Sequence, residues 1–337
     1  MDNYKTLKEK KDYFDNGKSD FCVYENIDSF EELKDVISLY QNKNNYIFRG
    51  SKEAQYKILS QLQLQWIKGN YENNIELYNE YVNYCINTLK SSSLFKSKSI
   101  FNEMDTSCAD FYALYLLQHY GFPTPLIDFT QNIDVGLFFM IDNLIIPNCY
   151  KSEIDKYSSL YVIDRNHSYF VSYNSVMENG ELRADEMLEE YFKLNPEDRN
   201  RFIGRENPYT YDKVCECGSG LILDRGFFHV SSSFFGTTTF GGNSERQERQ
   251  EGVFVLNTQL EKSLEHYYYE WYKSYPLIKC YNVNKNLTGK IKKYLDEKGI
   301  THESVYLRGV ISSELNAKMI AESGVLTLEQ YFSATKS

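Results

Sequence analysis

At 337 residues, with 42% hydrophobic and 25% charged side chains, the chain can bury a full core and has the balance of an ordinary globular protein. A net charge of −10 gives it no general attraction for a nucleic-acid backbone, which disfavours broad DNA or RNA binding. Seven cysteines without disulfide spacing, no signal-like N-terminus and no apolar run of ~20 residues argue against a disulfide framework and a membrane span, and predict a cytoplasmic protein.

Residues 1–27 are polar and lysine-rich and read as an arm. Asp28 and Ser29 open an amphipathic helix to about Leu39, with Phe30, Leu33, Val36 and Ile37 on one face. Tyr46-Ile47-Phe48 then has the character of a buried strand and ends in Arg49-Gly50. Burying a lone guanidinium costs roughly several kcal/mol, so Arg49 must meet a carboxylate, a phosphate or water. A structural Arg–Asp pair and an anion-binding arginine both stand open at this point. Gly50 leaves room for another backbone or a ligand to come close.

Leu62 to Trp66 alternates in polarity but is placed in a helix, and a long helix is expected from Tyr71 to about Leu94. Another runs from Cys108 to Tyr120 and stops at Gly121. It carries Gln118, His119 and Tyr120 at its end, where a histidine either caps free carbonyls or does chemistry. The segment Pro123 to Thr130 is stiff and extended, and Asp128 inside its apolar run needs a partner, for which Arg49 and His119 are candidates. Ile133 to Leu144 is apolar nearly all round and is therefore a central helix.

From 158 onward the period changes to that of strands, expected at 160–163, 169–171, 220–223, 227–230, 252–256 and 276–283. A charged insertion over 177–213 and a Gly/Ser/Thr-rich loop over 231–244 interrupt them. The polar run containing Arg246, Glu248, Gln250 and Glu251 leads into the strand at Gly252, either as a solvated face or as the mouth of a ligand site. Helices at 287–298 and 314–322 close the chain. The nucleophile elbow, the dinucleotide and phosphate-loop glycine motifs and the H-E-x-x-H zinc motif are missing from the sequence, so no metal site is expected. The pattern predicts one α+β domain over 28–323 with a split or mixed sheet. A helical insert falls at 60–145, a β-rich part at 158–285, C-terminal helices at 286–323 and a tail at 324–337.

Three blocks of sequence resemble the FRG domain family. Phe48-Arg49-Gly50 matches its aromatic-Arg-Gly strand end. Gln118 to Thr130 is similar to its QHYGLPTRLLDWT, followed by Gly136-Leu137-Phe138-Phe139-Met140 in place of its ALFFA. Arg246 with Gln250 to Phe254 resembles a third, R-I-x-x-Q-x-G-x-F. Ser51, Pro125 and Phe129 depart from the Gln, Arg and Trp common in the family. The resemblance covers about residues 28–323 and implies a bacterial or phage setting.

The strand end also has a weaker similarity to ADP-ribosyltransferases, which implies a sheet of that type and NAD as a substrate, with no cofactor required. On that resemblance Arg49 anchors the pyrophosphate, with Gly50 and Ser51 also in the ligand site, while Tyr120 or a loop Phe stacks on nicotinamide. Glu251 or Glu248 stabilises the oxocarbenium-like transition state, with His119 as a further catalytic candidate. Gln118, Asp128, Arg246 and Gln250 complete the ligand site. The implied partners are a small anionic nucleotide and a protein acceptor or phage protein, as for a toxin or phage-defence effector. A non-catalytic ligand-sensing or protein-binding module is the alternative. A nucleic-acid-processing effector ranks third because of the acidic charge.

Overall fold

A computed structural model describes residue 18 and residues 22–43, 45–93, 106–164, 222–223, 250–271, 278–306 and 321–335. Among the described residues seven strands form one mixed sheet in the order β1-β7-β4-β2-β3-β6-β5. They are β1 (Val23–Ile27), β2 (Tyr46–Ser51), β3 (Leu126–Thr130), β4 (Tyr157–Asp164), β5 (Ile222–Leu223), β6 (Gly252–Leu256) and β7 (Ile278–Asn284). Only β1 and β7 pair in parallel; the other neighbours are antiparallel. The α+β class and the mixed sheet therefore stand as expected.

Between β2 and β3 the chain leaves the sheet to build helices α2 (Gln61–Lys68), α3 (Ile75–Ser91) and α4 (Thr106–His119), following α1 (Phe30–Tyr40). These inserted helices form their own core, with Trp66, Tyr78, Tyr81, Leu114 and Tyr115 packed against Leu126, Phe254 and Leu256 at the edge of the sheet. Because the chain departs into that layer at the end of β2 and returns at the start of β3, the two strands meet at one register pair, Phe48 with Thr130. β2 is by contrast paired along its whole length with β4. The expected split is thus a splay inside one sheet.

Helix α5 (Ile133–Ile141) lies across the sheet and buries Ile133, Leu137 and Met140 with Phe48, Leu160 and residues of α1. Asn132 caps it by accepting from the Asp134 N–H at 2.9 Å. The helix comes so close to β2 that a Cβ on Gly50 would overlap the Gly136 carbonyl oxygen and stand 2.5 Å from the Met140 nitrogen. Glycine at 50 is the condition for that approach. On the opposite face Ile47, Ile127, Phe129 and Tyr161 pack under α6 (Leu264–Trp271). α7 (Thr288–Glu297) and α8 (His302–Val305) follow β7 on the α5 side. Tyr294 and Lys298 tie α7 to α5, donating to the Asp134 carboxylate at 2.9 and 2.7 Å.

Both ends of the chain differ from expectation. Residues 23–27 are an edge strand, and Lys18 is wholly buried, donating to Ala54 O at 3.0 Å, Ser159 Oγ at 2.6 Å and Asn282 Oδ1 at 2.8 Å. An edge strand with one open face needs few apolar residues, so VYENI read as an arm. The expected tail contains α9 (Leu328–Thr335), whose Leu328 and Phe332 join the core around Trp66, with the Phe332 ring 5.3 Å from the indole. α6 was likewise not expected. The strands expected at 169–171 and 227–230 and the helix at 183–193 lie outside the described residues, as does most of the helix at 314–322.

Candidate functional site

The splay between β2 and β3 opens a cavity of about 440 Å³, within the ~300–1,000 Å³ of small-molecule sites. The strand end Phe48-Arg49-Gly50 forms one wall, and Asp128 and Phe129 of β3 the facing one. Gln61 and Gln65, one turn apart on α2, close one side, and Gln118 and the Gly121–Pro123 connector after α4 another. Gln250 and the start of β6 complete the lining, with Phe139 of α5 half-buried at the rim.

Arg49 is half-buried here, and its Nη1 donates to the backbone carbonyl of Asp128 at 2.6 Å across the opening. That is its one hydrogen bond among the described residues, although a guanidinium carries five N–H donors. Burial lowers the Arg49 pKa from its usual value, while the charge of Asp128, and then those of Tyr161 and Glu265, oppose that shift. An arginine so far above neutrality remains a cation.

Asp128 is exposed and lines the cavity, and its carboxylate is not within 4.0 Å of the guanidinium. Its Oδ2 accepts instead from Gln118 Nε2 at 3.1 Å. The Gln118 amide is itself oriented by the Thr124 hydroxyl, which donates to its Oε1 and accepts from the Leu126 N–H at 3.2 Å. The structural Arg–Asp ion pair left open by the sequence is therefore replaced by a carbonyl contact: the register of β2 and β3 puts Asp128 opposite Gly50 and Arg49 opposite Phe129, so the two side chains leave the sheet on different faces while both residues line the cavity.

Several expected site residues lie elsewhere. His119 and Tyr120 do not line the cavity; the imidazole stacks on Tyr115 with ring centres 6.0 Å apart and meets Tyr120 edge-on at 5.2 Å. Burial raises the Tyr120 phenol pKa. Ser51 turns its hydroxyl to the Glu53 carbonyl at 3.0 Å. Glu251 has a left-handed backbone (φ 45°) and its carboxylate accepts from Asn132 Nδ2 at 2.9 Å, at the capped end of α5 rather than in the cavity. Glu251, expected as the reacting carboxylate, is thus absent from the described lining: the turn into β6 that seats Gln250 on the cavity carries the next side chain to Asn132. Gln250 does line the cavity, with its amide also reaching Val305 O at 3.3 Å. Arg246 and Glu248 lie outside the described residues.

Gln61, Gln65, Phe122, Thr124 and Phe139 were not anticipated. The one available signal was the i, i+4 spacing of two glutamines on a helix otherwise turned to the core.

Residues 44–146 match the family model of the FRG domain. The match holds the first two of the three sequence blocks and, among the described lining, every residue except Gln250 and those of β6. No curated protein and no solved structure matches the chain.

Proposed function

We propose that this chain, which carries an FRG domain over residues 44–146, binds a small anionic nucleotide in the cleft between β2 and β3. The observation that carries this reading is Arg49: a partly desolvated cation with one hydrogen bond, to a carbonyl, aimed into a cavity. A guanidinium in that state gains most from a phosphate or carboxylate able to take its free fork. Amide groups from α2, α4 and Gln250 offer both donors and acceptors for a heterocycle or sugar, and the Phe139 ring offers a face.

In its enzymatic form this reading is an ADP-ribosyltransferase-like or glycohydrolase reaction on NAD by an effector in conflict between bacteria and phage. Arg49 then holds the pyrophosphate. Asp128, the carboxylate that faces the cavity, stands beside the ribose, in the role first given to Glu251. Positioned charge of that kind is commonly worth ~3–4 kcal/mol in the transition state. The turning of Glu251 toward Asn132 favours a second reading, a ligand-sensing module that binds the nucleotide without cleaving it.

Calorimetry with ADP-ribose, alongside chromatographic detection of nicotinamide released from NAD, tests both. Wild type binds and Arg49→Gln loses at least about tenfold in affinity, as expected for one charge-assisted contact, while its thermal midpoint shows that it stays folded. Nicotinamide release that disappears in Asp128→Asn supports the enzyme; binding without release supports the sensor. No binding by folded wild type, or equal binding by Arg49→Gln, refutes the nucleotide site.

A further inference from the structure

Arg49 leaves β2 on the face of the sheet that it shares with Tyr161 of β4 and Phe129 of β3, its neighbours in the register. Helix α6 packs on that face, where Leu264 and Tyr267 are buried with Ile47, Phe129 and Tyr161. The second residue of this helix, Glu265, is wholly buried and is not part of the described lining. Both of its carboxylate oxygens accept from the Ile58 N–H at 3.1 Å, while the Ile58 carbonyl accepts from the Leu264 N–H at 3.0 Å.

Three residues record the charge of Glu265. Burial raises the Tyr161 phenol and the Cys280 thiol, and the carboxylate adds to both. Burial lowers Arg49, and the charges of Asp128, Tyr161 and then Glu265 oppose that fall. Cys280, Tyr161 and Arg49 are successive register neighbours across β7, β4 and β2, so Glu265 acts along one row of the sheet that ends at the cleft. Asp128 acts on Arg49 more strongly, but it is exposed and leaves its strand on the other face. Water and salt screen its charge far more than they screen a buried one.

A partly buried guanidinium with one hydrogen bond, to a carbonyl, is costly unless a negative charge stands near. Glu265 supplies that charge through space while its own oxygens are taken up by Ile58, which leaves the Arg49 fork open. An anion arriving at the fork meets the same field and is repelled by it. We infer that Glu265 is a positioning residue for the cleft: the buried counter-charge of empty Arg49, which keeps the guanidinium unpaired and holds affinity for an anionic nucleotide below what Arg49 alone would give. This rests on the nucleotide reading of the site. A unit charge acting across ~10 Å at an effective dielectric of ~30 changes affinity for one negative charge by about fivefold.

The test compares the full chain with Glu265→Gln and Glu265→Asp, by calorimetric titration with ADP-ribose and by thermal melting. Glu265→Gln keeps an oxygen for the Ile58 N–H and loses the charge; Glu265→Asp keeps the charge and loses reach. Glu265→Gln is expected to melt below wild type when empty, yet to bind ADP-ribose about fivefold more tightly. Its melting temperature therefore gains more from a given concentration of ligand. Glu265→Asp is expected to melt lower too, with no tightening. A carboxylate that merely holds Ile58 predicts weaker binding wherever stability falls. Equal or weaker binding by folded Glu265→Gln overturns the inference, as does equal tightening in Glu265→Asp. A second measurement needs neither the ligand nor a well-folded single variant. Adding Arg49→Gln to Glu265→Gln is expected to raise the melting temperature, because it removes the cation left without its counter-charge; a further fall overturns the inference. Failure of wild type to bind ADP-ribose refutes the nucleotide reading, whereas a wild type that binds beside a Glu265→Gln that does not tighten refutes only the role of Glu265.

Discussion

Replacing Gly50 by alanine adds one methyl group where the structure has no space for it. The new carbon would overlap the Gly136 carbonyl oxygen, with the Met140 nitrogen at 2.5 Å and its Cα at 3.0 Å. All three are backbone atoms of α5, so no side chain can rotate away; the helix must lift from β2 or β2 must bend. Overpacking costs ~1–3 kcal/mol when side chains can adjust, and rigid backbone neighbours put this site at the upper end, ~3 kcal/mol or more. With an unfolding entropy near 2.1 cal/mol/K per residue, that corresponds to a fall in melting temperature of roughly 4 °C for a chain of this size. Because Gly50 and Phe139 both line the cavity, a lifted α5 also widens it, and affinity for the cleft ligand falls with stability. Differential scanning calorimetry of Gly50→Ala beside Gly136→Ala checks this. The added carbon at 136 meets a Leu160 methyl and the Phe48 Cβ, both at 3.1 Å, and costs less. A Gly50→Ala protein melting within about 1 °C of wild type would show that the helix does not seat on the strand this way.

Other substitutions probe the ends and the site. Lys18→Met takes the ammonium donor from the Ala54 carbonyl and the Ser159 hydroxyl, while Asn282 Oδ1 keeps the Ser159 hydroxyl as a donor, and is expected to lower stability by ~1–3 kcal/mol in urea titration. Burial, aided by a hydrogen bond to Asp28, pushes the Tyr157 phenol up to about 12 from 10 in the unfolded chain. A phenol raised on folding contributes stability that is present below pH 10 and lost as pH rises through 12, so the urea midpoint of Tyr157→Phe should fall less steeply across that window than that of wild type. Glu251→Gln keeps an oxygen for Asn132 and should leave ligand affinity within about twofold, since the side chain lies outside the cavity. A large loss in calorimetry would return Glu251 to the site. Gly121→Ala, at φ 81° but in open space, should cost only ~1 kcal/mol in thermal melts, through backbone strain alone.

Much of this molecule was legible residue by residue. A buried arginine needs an answering group whatever the fold, so Arg49 stood out, and the stiff Pro123–Thr130 segment with its lone carboxylate did the same for Asp128. Helix α2 was recognisable despite its alternation, and Gly121 marked a helix end where the backbone adopts positive φ. Local patterns of this kind depend on neighbours in sequence, and they survive in a single chain read alone. They failed where a segment's character is set by what packs on it. β1 is polar because it is an edge, and α9 is short and looked like a tail until Trp66 and Tyr71 covered its aromatic face.

Which carboxylate faces the cavity was decided by tertiary structure. Asp128 lies within β3 and Glu251 just before β6, and the resemblance to ADP-ribosyltransferases favoured Glu251. The opening left where helices are inserted between β2 and β3 instead takes Asp128, with Arg49, into its lining and leaves Glu251 on Asn132. Strand alternation says which face a side chain takes; only the register and separation of β2 and β3 say whether that face borders a neighbour or a space.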